Sequence, residues 1–99
     1  MQTPENPRIK PLFKTRQIVI TPGAIGAFFE KPDTPFTYLK RHFSGDWGNL
    51  DPQDVLSNIE AVHNDLRVMS VYDTKDGTRI WIITEADRSV TTILLPEEY

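Results

Sequence analysis

The stretch RVMSVYD (67–73), followed by DGTRIWIITEADRSVTTILLPEEY (76–99), reads as three strands in succession. Each apolar run is short, rich in Val, Ile, Thr, Tyr and Trp, and bounded by turn residues. Thr74-Lys75-Asp76-Gly77 is a hairpin connection, with glycine where a positive φ is wanted. Ala86-Asp87-Arg88 is a second short turn between IWIIT and SVTTILL. Parallel neighbours need a crossover of a dozen residues or more, and neither linker is long enough. The three strands therefore read as a C-terminal antiparallel meander.

Working back from that meander, PQDVLSNIEAVHND after Asp51 is a clear helix. Val55, Leu56, Ile59, Val62 and Leu66 trace one apolar face, and Asp51 and Asp54 sit at its positive end. Thr34-Pro35 opens a second helix, FTYLKRHF, in which Phe36, Leu39 and Phe43 form an inward stripe at i, i+3 and i+7. Lys40, Arg41 and His42 fall in its last turn, where positive charge suits the helix dipole, and Gly45 terminates it. Thr21-Pro22 begins a shorter helix, GAIGAFFEK, with Ala24, Ile25 and Phe28 inward and two glycines that weaken it. QIVIT (17–21) is a short strand ended by Pro22, whose pairing partner is not readable. The architecture is α+β in two layers: a short N-terminal strand, two to three helices, then the three-stranded meander. Residues 17–99 form one domain. Residues 1–16, with Pro4, Pro7 and Pro11, form an extended or disordered basic arm whose end Leu12 and Phe13 can dock.

The chain's 99 residues suffice for one core and not two. It contains no cysteine, which excludes disulfides, thiolate metal sites and cysteine nucleophiles. No apolar run approaches the roughly 18 residues of a membrane span, and the N-terminus lacks the apolar core of a secretory signal. The expectation is a cytoplasmic protein without a membrane contact. The net charge of −3 is unevenly spread. Residues 1–50 carry seven basic and four acidic groups, +3, and residues 51–99 carry four and ten, −6. The arm concentrates the cations: Arg8, Lys10, Lys14 and Arg16 face only Glu5. An acidic domain repels phosphate backbones, so nucleic-acid binding would fall to this arm with Lys40 and Arg41.

Two constellations bear on chemistry. His42 and Asp46, four apart across a helix end beside Trp47, can orient an imidazole or supply two metal ligands, too few for a site. The competing reading makes His42 a dipole partner and Trp47 a packing anchor. Glu85, Asp87 and Arg88 at the last hairpin tip combine carboxylates with a cation, as acid/base or phosphodiester chemistry requires. They also suit an ordinary turn, with Asp87 capping and Arg88 in a surface ion pair. A hydrolytic triad using Ser89, Thr91 or Thr92 lacks any GxSxG nucleophile elbow. Tyr38 lies off the inward stripe and joins Trp47, Asp46, Asp87 and Arg88 as a candidate contact residue. No cofactor loop and no metal set is evident.

ITPGA (20–24), RHFSGDWGNLDPQD (41–54) and DGTRIWIITEADRSVTTILLPEEY (76–99) resemble a family of small uncharacterised bacterial proteins of plasmids, integrated elements and phage-like islands, often called plasmid-related proteins. Some members are labelled restriction-modification methylation subunits. This chain has no glycine-rich cofactor loop after a strand, and its helix–strand order is wrong for a Rossmann-like methyltransferase. The resemblance spans about residues 16–99 and implies a setting rather than a mechanism. The expected function is a non-enzymatic accessory protein of mobile elements that binds a protein partner, with modulation of a host defence or nucleic-acid-processing enzyme as one form. Two alternatives stand beside it: a nucleic-acid-binding module using the arm, and a small enzyme using His42, Asp46, Glu85, Asp87 and Arg88. A homodimer through a strand edge is open in each case.

Overall fold

Three helix starts in this chain share one chemistry: a short oxygen-bearing side chain, then proline at the first helical position. The computed structural model, which describes residues 11–99, places all three where that chemistry sits: α1 (Pro22–Phe28), α2 (Pro35–Ser44) and α3 (Pro52–Asn64). Thr21 Oγ1 accepts from the Ala24 N–H at 3.2 Å, and Asp51 Oδ1 from the Asp54 N–H at 2.9 Å. Thr34 makes no side-chain cap, so proline's fixed φ sets that start without it. Gly45 ends α2 in the left-handed region, as expected, and Asp65 ends α3 the same way.

The strands are β1 (Gln17–Ile20), β2 (Val68–Asp73), β3 (Arg79–Thr84) and β4 (Val90–Leu94), followed by a 3-10 turn, Pro96–Glu98. β2, β3 and β4 form the antiparallel meander, with Val71 opposite Trp81 and Ile82 opposite Ile93. The sheet as a whole is mixed rather than purely antiparallel, and its strands are not all C-terminal. β1 lies parallel to β4, giving the order β1-β4-β3-β2. The intervening helical layer supplies the crossover that parallel pairing needs. Three helices and four strands make the domain α+β.

Alternation along the strands selects the face that lies under the helices, while Val71, Ile83 and Leu94 are buried on the other. Ile80, Ile82, Ile93, Tyr72 and Val68 point under the helices and are nearly or fully buried. Two clusters share this layer. One joins Ala24, Phe28, Tyr38 and Leu39 to the centre of the sheet; the other joins Trp47 and Ala61 to Val68, with Phe13, Val55 and Val62 packed against it. The end of the arm does dock: Phe13 enters this second cluster and the Leu12 N–H donates to the Phe43 carbonyl at 2.7 Å. On the opposite face the Trp81 and Tyr99 rings meet at 5.4 Å, and Arg67 donates to the Tyr99 hydroxyl at 2.8 Å.

The helix faces match the expected apolar stripes in part: Ala24, Phe28 and Leu39 are buried, and Phe43, Val55 and Val62 pack against the core. In α2 the inward residues are Tyr38, Leu39 and His42, while Phe36 is 70% exposed. Ile25 of α1 points outward. In α3 the buried residues are Asn58 and Ala61, and Leu56, Ile59 and, just beyond the helix, Leu66 are exposed. In α2 and α3 the departures accompany buried polar bonds. Tyr38 donates to the buried Asp33 carboxylate at 2.9 Å, and His42 reaches two strand hydroxyls. Asn58 bonds both backbone groups of Met69, donating at 2.7 Å and accepting at 3.2 Å. Polar partners inside the layer rotate α2 and α3 away from the orientation that apolar periodicity alone favours.

The two sheet edges are treated differently. Beyond β2, Asn58 takes the Met69 groups, the Trp47 carbonyl accepts from the Val71 N–H at 3.1 Å, and the Asn49 N–H donates to the Val71 carbonyl at 2.6 Å. Gly48 thus forms a parallel bridge to Val71, closing that edge. Among the described residues, no strand pairs with the outer edge of β1.

Candidate functional site

His42 and Asp46 do not pair. His42 is fully buried, with Nδ1 2.5 Å from Ser70 Oγ and Nε2 2.9 Å from Thr84 Oγ1, and Thr84 Oγ1 lies 2.7 Å from Thr91 Oγ1. This chain of groups ties α2 to β2, β3 and β4. Burial, and secondarily the positive charge of Arg88, pushes the imidazole down to about 3, so it is neutral at physiological pH. A neutral imidazole is no dipole partner for α2, which corrects that expectation. One ring nitrogen donates and the other accepts, and either tautomer satisfies both hydroxyls. A histidine between hydroxyls resembles part of a hydrolase dyad. Here no carboxylate orients the ring, and the hydroxyls of Ser70, Thr84 and Thr91 are as buried as His42.

Asp46 instead receives Arg41, whose Nε and Nη2 donate to the two carboxylate oxygens at 2.8 and 3.3 Å. That bidentate bond holds the Asp46 carboxyl below its ordinary value. The Arg41 guanidinium also lies 4.7 Å from the Tyr72 ring centre, and the Tyr72 hydroxyl donates to the Asp46 carbonyl at 2.7 Å. The loop is stapled to α2 and β2 from both sides. Trp47 is a packing anchor in the second cluster, and its buried indole N–H has no partner among the described residues.

The hairpin tip is equally committed. Arg88 adopts φ +62°, and its Nη1 and Nη2 donate to the carbonyls of Leu66 and Ala61 at 2.6 and 2.9 Å. It therefore closes the C-terminal end of α3, where positive charge is favoured, rather than forming the expected surface ion pair. Asp87 caps the turn as anticipated, accepting from the Ser89 N–H at 2.9 Å. Glu85 faces Arg67 at 3.7 Å. Among the described residues, no hydrogen bond or ion pair links Asp46 to Glu85, Asp87 or Arg88, and no group of three or more His, Asp or Glu side chains is arranged for a metal. His42, Asp46 and the hairpin tip (85–88) are thus held by different hydrogen-bond partners, and Arg88 reaches His42 through its charge.

The other expected residues divide as follows. Tyr38 is buried, and burial together with the Asp33 bond raises its hydroxyl to about 12. Arg8 and Lys10 lie outside the described residues. Lys14, Arg16 and Lys40 are exposed, with no ion pair to a described residue, while Arg41 is committed to Asp46.

One accessible surface is the outer side of α2. A groove of about 420 Å³ runs along Phe36, Thr37, Lys40, Arg41, Ser44 and Asp46. A second, of about 310 Å³, is lined by Pro11, Ile18, Leu39 and Phe43 and shares Phe36, Lys40 and Ser44 with the first. Phe36 and Lys40 form the ridge between them. Of the contact residues anticipated from sequence, Asp46 borders this surface, whereas apolar periodicity places Phe36 in the core. The only local sign of its exposure is its place immediately after Pro35, in the first turn of the helix. No family model, curated protein or solved structure matches this chain.

Proposed function

We propose that this protein is a non-enzymatic accessory protein of bacterial mobile elements, and that it binds a protein partner through the outer face of α2. The observation that carries the binding reading is Phe36: a large aromatic ring, 70% exposed, on a ridge between two grooves. Aromatic side chains beside concave surfaces are typical anchors of protein interfaces. Support also comes from the candidate catalytic residues: His42 is inside the core, Arg88 closes a helix, and Asp46 is held by Arg41, so each has a structural role. The mobile-element setting rests on the resemblance of ITPGA, RHFSGDWGNLDPQD and the C-terminal string to plasmid-related proteins.

A photo-crosslinking residue at position 36, in bacteria carrying the element, should capture a discrete protein that the same residue at position 60, on α3, does not. Phe36→Asp should abolish co-purification of that protein while leaving the thermal unfolding midpoint unchanged within a few degrees. Equal capture from both positions, or co-purification indifferent to Phe36→Asp, would remove this reading.

A further inference from the structure

We infer that the open edge of β1 accepts an extended, acidic segment of the partner as a fifth strand, with an apolar side chain of that segment seated in the groove beside Ile18. This rests on the binding reading above and deepens it.

The edge itself is the first argument. The Thr21 N–H donates to the Ile93 carbonyl of β4 at 3.0 Å. Strand alternation then turns Val19 toward β4 and directs the backbone groups of Ile18 and Ile20 outward. A row of outward donors and acceptors is a template for a further strand. The far edge cannot compete, because Asn58, Trp47 and Asn49 already occupy Met69 and Val71.

The groove is the second argument. Ile18 is 46% exposed and lines the 310 Å³ groove with Leu39, Phe43 and Phe36, on the helix side of the sheet. An added strand would point every second side chain toward that groove, so its fit demands apolar residues at alternate positions.

Charge identifies the occupant. Among the described residues, Lys40 is the one charged residue lining this groove, and the exposed Lys14 and Arg16 lie in the segment leading into β1. The exposed Lys14, Arg16 and Lys40 give the surroundings of this edge a positive charge that an acidic segment complements, and self-pairing of the edge is left as an outcome of the test.

The experiment uses the full 99-residue chain, isotopically labelled for amide exchange and chemical-shift mapping. The probes are a short peptide alternating valine with glutamate, its lysine counterpart, and a glutamate version interrupted by proline. The glutamate peptide should slow exchange at the Ile18 and Ile20 amides, and the other two should bind about tenfold more weakly or worse. Ile18→Lys, which blocks the groove but keeps β1's hydrogen bonds to β4, should abolish the effect with an unchanged circular dichroism spectrum. Equal binding of the lysine peptide, protection only on α2, or no binding of the glutamate peptide would overturn strand addition. Protection of Ile18 and Ile20 in a self-associating chain without peptide would overturn it in favour of a second copy. The position-36 crosslink reads the binding surface separately: a crosslink that persists with Ile18→Lys leaves that surface standing while strand addition fails.

Discussion

A Cβ added at Gly48 would lie 2.0 Å from the Val71 carbonyl oxygen, and its φ of +78° disfavours any L side chain. The tight loop SGDWG is legible as glycine-rich from the sequence, but the reason for this glycine is tertiary: the loop backbone presses directly on β2. Gly48→Ala should therefore cost at least about 2 kcal/mol, from positive-φ strain and the displaced bridge together. Urea unfolding monitored by tryptophan fluorescence measures it, and a loss below about 0.5 kcal/mol would contradict the close approach. Arg88 gives the complementary lesson. A positive-φ arginine in a hairpin tip looks like surface decoration, and only the fold brings the carbonyls of Ala61 and Leu66 under its guanidinium.

At the scale of elements, α1 is the weakest piece: seven residues with two glycines. It is held from the far end of the chain. Glu98 Oε2 accepts from the Gly23 N–H at 2.9 Å, and Oε1 accepts from Thr21 Oγ1 at 2.5 Å, which sets a carboxylate at the helix's positive end. At Met69 the β2 edge likewise depends on a single side chain. Asn58→Ala would strip both partners from Met69 and lower stability by about 2 kcal/mol, two partly buried hydrogen bonds at roughly 1 kcal/mol each. Exposing that edge should also promote self-association. Urea titration and sedimentation velocity check the two effects, and a monomer of unchanged stability would argue that another group covers the edge.

At the scale of the whole molecule, the His42 network makes stability respond to acid early. The imidazole is held near 3 in the fold and near its ordinary 6.5 when unfolded. A depressed histidine contributes stability that is complete above the unfolded value and is lost as pH falls from 6.5 toward 3, because only the unfolded chain takes up the proton. By linkage the loss is about 2 kcal/mol between neutral pH and about pH 5, before carboxylates such as Asp46 and Asp73 titrate. Unfolding free energy measured across that interval should show this slope, and His42→Gln should flatten it. A wild-type profile flat to about pH 5 would mean that the imidazole is not buried neutral.

What short-range chemistry controls is legible in the residues alone. The meander followed from two turns too short for a crossover, and the three helix starts from Thr21-Pro22, Thr34-Pro35 and Asp51-Pro52. Those signals act within about four residues, through φ restriction and side-chain–backbone bonds. Which faces turn inward, where β1 pairs and what His42, Asn58 and Arg88 bind depend on long-range contacts. The partners concerned are 28 and 42 residues apart for His42 and 75 apart for Gly23 and Glu98. At such separations a buried hydroxyl or amide can outweigh apolar periodicity, because an unpartnered polar group inside the layer costs more than an exposed Phe36 or Leu56 loses.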